Sequence, residues 1–184
     1  MTRILLTTAA IAISASSAYA QQTDVTAAAL AELAQYQAAE AAVAQRLETF
    51  DTLDFEVFSG RQWDRLHESH AEDIKVHWPD GRITEGLDVH IADLEAFFVY
   101  APDTRIETHP IRIGQGEWTG VVGVIEGTFS APMPIGDGQF IEPTGKPYKL
   151  TMATIGHWND EGVMDEEFLF WDNLTFMRQI GLAQ

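Results

Sequence analysis

PYKLTMATIGHWNDEGVMDEEFLFWDNL, residues 147–174, holds two long β-type segments joined by the turn-forming run Asn159-Asp160-Glu161-Gly162. Apolar and polar residues alternate in both halves, which predicts an antiparallel pair over Pro147–Trp158 and Val163–Trp171. With a period of two, Glu166, Phe168, Phe170 and Asp172 share one face. Asp165, Glu167, Leu169 and Trp171 share the other. The Phe168 and Phe170 face is the expected interior, with Asp172 at its end. Asp172 then has two readings. It is the N-cap of the short helix predicted from Asn173 to Ile180, or it is a carboxyl whose pKa is raised among aromatics for acid/base work.

Upstream of the pair, Thr104–Ile113 and Trp118–Ser130 also read as strands, and the Pro- and Gly-containing 131–146 reads as a loop. DIKVHW (73–78) alternates and ends at the turn Pro79-Asp80-Gly81. Three helical segments precede the long strands or fall between them. Val43, Leu47, Phe50, Val57 and Phe58 keep a 3.6-residue period up to Ser59-Gly60, Gln62–Ser69 suits a short second helix, and Gly86–Tyr100 a third. Helices first and long antiparallel strands after predict an α+β domain, with helices on one face of a curved sheet enclosing an apolar cone.

The N-terminus has a different character. Arg3, the apolar stretch Ile4 to Ala15 and the Ala18-Tyr19-Ala20 site read as a secretory leader cut after Ala20. The expected organisation is a leader over 1–20, an Ala-rich helical extension over 21–42 and a single domain over 43–184. The expected location is periplasmic or secreted. With 28 Asp+Glu against 11 Lys+Arg, the chain has a net charge of −17, which disfavours nucleic acid and anionic membrane as partners. It has no Cys, so disulfides and thiolate chemistry are excluded.

Other polar residues are candidates for chemistry. His157, near the end of its strand, can orient Asp172 or donate to a substrate oxygen. An exposed hairpin histidine is the alternative. His77 points away from Ile74 and Val76, toward either the cavity mouth or solvent. His67, His70 and His77 lack an HExxH pattern and a third ligand at a characteristic spacing, so no metal is expected. Gly114-Gln115-Gly116 and Gly136-Asp137-Gly138 do not sit between a strand and a helix, so no nucleotide is expected either.

Three pieces carry a resemblance: SGRQWDRLHESHAEDIKVHWPDG (59–81), GLDVHIADLEAFF (86–98) and EPTGKPYKLTMATIGHWNDEGVMDEEFLFWDNLTFMRQIGL (142–182). In this order and spacing they resemble the SnoaL-like polyketide cyclases, also called ester cyclases, of the nuclear-transport-factor-2-like fold. The resemblance implies a cofactor-free enzyme performing an intramolecular aldol closure. It implies Asp172 as general acid/base, helped by His157. Trp158, Glu166, Phe168 and Phe170, with His77, would line the substrate pocket. The function expected is an exported acid/base enzyme of the cyclase, isomerase or dehydratase kind acting on a small hydrophobic carbonyl compound. The alternatives are a non-catalytic small-molecule binder and a module that forms a homodimer through its open sheet face.

Overall fold

The computed structural model describes the backbone of residues 5–184 and the side chains from residue 25 onward. The leader reading, residues 1–20, therefore falls outside the described side chains, and Arg3 lies outside the described residues altogether. Two compact units are present, residues 1–41 and 42–184. The described residues of the first are helical and belong to α1 (Leu5–Thr52). Its Leu30, Leu33 and Tyr36 are exposed. No helix among the described residues is long and apolar enough to cross a membrane.

In the second unit, α1 ends in a wider-wound turn over Leu53–Phe58, followed by a 3-10 turn over Trp63–Glu68. The strands are β1 (His70–His77), β2 (Ile83–Glu85), β3 (Arg105–Ile106), β4 (Ile111–Gln115), β5 (Trp118–Thr128), β6 (Met133–Gly136), β7 (Gln139–Ile141), β8 (Pro147–Trp158) and β9 (Met164–Phe170). Helix α2 (Leu87–Tyr100) follows β2, and α3 (Asn173–Gln179) follows β9. The main sheet runs β2-β1-β9-β8-β5-β3, with β4 also on β5. Every pairing is antiparallel except that of β1 with β9. This is the expected α+β architecture, with the helical elements against one face of the sheet.

Two strand boundaries differ from the sequence reading. The segment 104–113 splits into β3 and β4 around Pro110, which has no N–H to give a ladder. The 131–146 loop contains the hairpin β6-β7, held by Met133 against Ile141 and Pro134 against Phe140.

The larger correction concerns which face is inside. The alternation along β9 is as read, but Glu167 and Leu169 are buried while Phe170 is 51% exposed. Phe168 and Phe170 lie on the outer face. A one-face reversal turns every side chain over while leaving the pattern intact, so alternation alone does not choose the side. The choice is made by what the inner face meets. Phe50 at the end of α1 packs edge-on to the buried Trp158, and Gly156, lacking a Cβ, leaves room for Met164 and Phe50. Trp158 donates to the Thr119 hydroxyl at 2.7 Å, so this indole is a satisfied core residue.

Helix α2 is set by Gly86. Its φ of +100° is a conformation open chiefly to glycine, and its N–H donates to the Ile74 carbonyl of β1 at 2.9 Å. That anchor turns Leu87, Ile91, Leu94 and Phe97 toward the core and carries His90 inward with them.

Candidate active site

The inner sheet face, α2 and the wide turn after α1 enclose a cavity of about 50 Å³. Its walls include Phe58, Leu94, Phe97, Ile125, Met152 and Leu169, with Trp78 and Trp171 at one side. Five polar residues reach this lining besides the tyrosine Tyr148: Asp54, His70, His90, Thr154 and Glu167. All five are buried, Asp54 at 7% exposure and Glu167 at 4%. Space of this size holds a few water molecules. A larger ligand needs the wall to move. Trp78, Phe97 and Trp171 separate the cavity from an outer groove also lined by Asp80, Arg82 and Asp93. Edge contacts of Trp171 with Trp78 and Phe97 hold these three rings together.

Asp54 sits in the wide turn that follows α1, among the apolar Leu53, Val57 and Phe58. Its carboxylate accepts from His109 Nε2 at 2.7 Å, and His109 Nδ1 donates to Asp51 at 2.7 Å. Asp51 in turn pairs with Arg112 at 3.2 Å. Both ring nitrogens of His109 therefore face carboxylates, an arrangement that suits the imidazolium. Burial pushes the Asp54 carboxyl up against the pull of His109. For His109, burial opposes the charge, but the bonds and charges of Asp54 and then Asp51 outweigh it and raise its pKa. The chain from cavity to surface, Asp54 to His109 to Asp51, can hold and move a proton.

The other cluster lies on β1, α2 and β9. Glu167 Oε2 stands 3.4 Å from His90 Nε2 and 3.9 Å from His70 Nε2. Burial pushes the His90 imidazole down to about 4 despite the Glu167 charge beside it, so it is neutral at pH 7. Burial works against the Glu167 charge as well, but the neighbouring imidazoles hold its pKa below the usual carboxylate range.

None of the seven site residues expected from the sequence lines this cavity. Asp172 is the exposed N-cap of α3. Its carboxylate accepts from Thr175 Oγ1 at 2.6 Å and Thr175 N at 3.0 Å, and these bonds depress its pKa. His157 lies on the outer face with Asp165 at 2.6 Å and Glu117 at 3.6 Å, and the Asp165 bond raises its pKa. His77 also faces outward, bonded to Glu166 at 2.7 Å and stacked on Phe168 at 4.1 Å. Glu166 and Phe170 share that outer face, and Trp158 is buried in the core away from the cavity lining.

The residues that do line it left a trace in the sequence. Asp54 and His90 interrupt apolar helical stripes, Phe50 to Val57 and Leu87 to Leu94, and Glu167 sits in alternation with Leu169 and Trp171. A charged residue on a stripe destined for burial marks a functional group or a partnered one.

Comparison with known proteins bears on the same domain. The family model for SnoaL-like polyketide cyclases matches residues 48–180. The chain belongs to the SnoaL-like polyketide cyclase family. Solved structures agree on the fold. IdmH, a candidate polyketide cyclase from Streptomyces antibioticus, is 24% identical with a TM-score of 0.62, over 74% of this chain and 99% of its own. A candidate SnoaL-like polyketide cyclase from Jannaschia sp. CCS1 is 21% identical with a TM-score of 0.66, over 77% and 94%. A SnoaL-like polyketide cyclase from Agrobacterium tumefaciens is 15% identical with a TM-score of 0.53, over 68% and 91%. No protein of curated function matches the chain. The matched span contains Asp54, His70, His90, His109 and Glu167, so the family domain and the cavity coincide.

Proposed function

We propose that this protein is an acid/base enzyme of the cyclase or isomerase kind, acting on a hydrophobic carbonyl compound within the cavity. Asp54 is the proton-transfer group in this reading, in place of Asp172. The observation that carries it is a buried carboxyl opening onto apolar walls and backed by His109 and Asp51. Asp54 removes a proton from carbon next to a carbonyl. The carbanion attacks a second carbonyl of the same molecule in a cyclase, or takes the proton back at another carbon in an isomerase. The proton held between Asp54 and His109 is returned to the product oxygen or carbon, so the enzyme ends as it began. Aromatic walls exclude water and fold the substrate so that its ends meet.

The test is exchange of α-protons for deuterium in a hydrophobic 1,3-diketone, followed by proton NMR with and without the protein. Exchange that depends on Asp54 supports the enzyme. Binding without exchange makes the protein a carrier of such compounds. The export reading stands as part of the proposal, supported by the leader-like run through Ala18-Tyr19-Ala20.

A further inference from the structure

We propose that His70, His90 and Glu167 form a binding site for one divalent first-row transition-metal ion. The inference starts from the atoms that lack partners. His70 Nδ1 lies 3.3 Å from the Leu66 carbonyl, which only accepts, and 2.9 Å from Ser69 Oγ. The Leu66 contact places a proton on His70 Nδ1, so in the neutral ring Nε2 carries a lone pair. That Nε2 is buried without a hydrogen-bond partner, and so is Glu167 Oε2, the atom it faces at 3.9 Å. In the neutral ring this nitrogen and the carboxylate oxygen repel unless a proton or a cation sits between them, and 3.9 Å is too long for a shared proton.

The spacing suits an ion better than a hydrogen bond. Ligands about 2.1 Å from a tetrahedral ion stand ~3.4 Å apart. Glu167 Oε2 is 3.4 Å from His90 Nε2 and 3.9 Å from His70 Nε2, and one donor atom from each of the three residues falls within 4.8 Å of the other two. The site is rigidly supported: its donors come from β1, α2 and β9, and His70 is oriented through Nδ1 by Ser69 and Leu66, as metal-bound histidines are held through their other ring nitrogen. Two imidazoles and one carboxylate suit Zn²⁺, Mn²⁺ or Fe²⁺. Three protein ligands leave a coordination position toward the cavity, where a carbonyl oxygen of the substrate can bind. From sequence His70 stands with His67 and His77, and the alternation and spacing point to no metal; only the fold brings it beside His90 and Glu167.

The inference rests on the same cavity as the proposed activity but not on the Asp54 assignment. The experiment is calorimetric titration of the full-length, untagged, chelator-treated protein with Zn²⁺ and Mn²⁺, with Co²⁺ absorption spectra as a second readout. One ion per chain, with visible Co²⁺ bands of a nitrogen- and oxygen-ligated site, is expected. Glu167→Gln and His90→Gln weaken binding by at least ~100-fold, while His67→Ala, a change at an exposed histidine, leaves it unaltered. Circular dichroism checks that the variants fold. If they do not, the wild-type stoichiometry decides. Absence of a one-to-one ion in the wild type, or binding unchanged in folded Glu167→Gln, overturns the proposal. Proton exchange by protein that binds no ion would leave the acid/base reading standing alone. An ion bound without exchange would do the reverse.

Discussion

Asp54→Asn separates proton transfer from structure. The amide keeps the shape of the carboxylate and an oxygen that can still accept from His109 Nε2, now 2.7 Å away. What is lost is charge assistance. A hydrogen bond to a charged group contributes ~1.5–3 kcal/mol and a neutral one ~0.5–1.5, so the substitution costs about 1 kcal/mol. Part of that is returned because the amide carries no charge to desolvate in a site only 7% exposed. In a domain of this size Tm then falls by ~2–4 °C or less. The kinetic effect is far larger, because an amide cannot take up a proton. Loss of a general base lowers the rate by ~10²–10⁴-fold, or about 3–5 kcal/mol of barrier. The assay is deuterium exchange into a hydrophobic 1,3-diketone, run beside thermal unfolding and beside Asp172→Asn. Exchange should collapse in Asp54→Asn with a small change in Tm, and should persist in Asp172→Asn. Exchange abolished by Asp172→Asn and untouched by Asp54→Asn would refute the assignment.

Trp171→Ala, which removes one ring of the aromatic wall, should speed entry of a fluorescent apolar probe in stopped flow at a stability cost of about 1–2 kcal/mol, below the ~3–5 for a fully buried Trp. Trp158→Phe leaves the buried Thr119 hydroxyl without its indole donor, and urea unfolding should show a loss of ~1–3 kcal/mol. The depressed pKa of Asp172 makes its contribution to stability present above ~3.9 and lost as pH falls through its lower folded value, so Asp172→Asn should flatten the acid limb of the stability profile. His157 has the opposite sign. Its raised pKa makes its contribution complete below ~6.5 and lost as pH rises through the folded value, a slope His157→Gln should remove. If the leader is removed as the sequence suggests, N-terminal sequencing of protein recovered from the cell envelope fraction will begin at Gln21.

The sequence by itself determined the architecture. The alternation of 147–174, the helical stripe of Gly86–Tyr100 and the turns at Pro79-Asp80-Gly81 and Asn159–Gly162 are local signals, and they yield the α2, β5, β8, β9 and α3 segments nearly as observed. It also gave the correct two-face partition of β9. Only the tertiary structure decided which face is inside, because period-two alternation is symmetric between faces. Phe168 and Phe170 looked like core from their hydrophobicity, yet a sheet has two sides and both can carry apolar residues. The inner side was fixed by distant partners: Phe50 against Trp158, and His70 and His90 around Glu167. His70 and Glu167 stand far apart in the chain, and the two meet only because β1 pairs in parallel with β9, a long-range contact that no local spacing encodes. The same holds for Asp54, in the turn after α1, and His109, which the fold brings to 2.7 Å. Local chemistry wrote the elements, and long-range pairing chose the site.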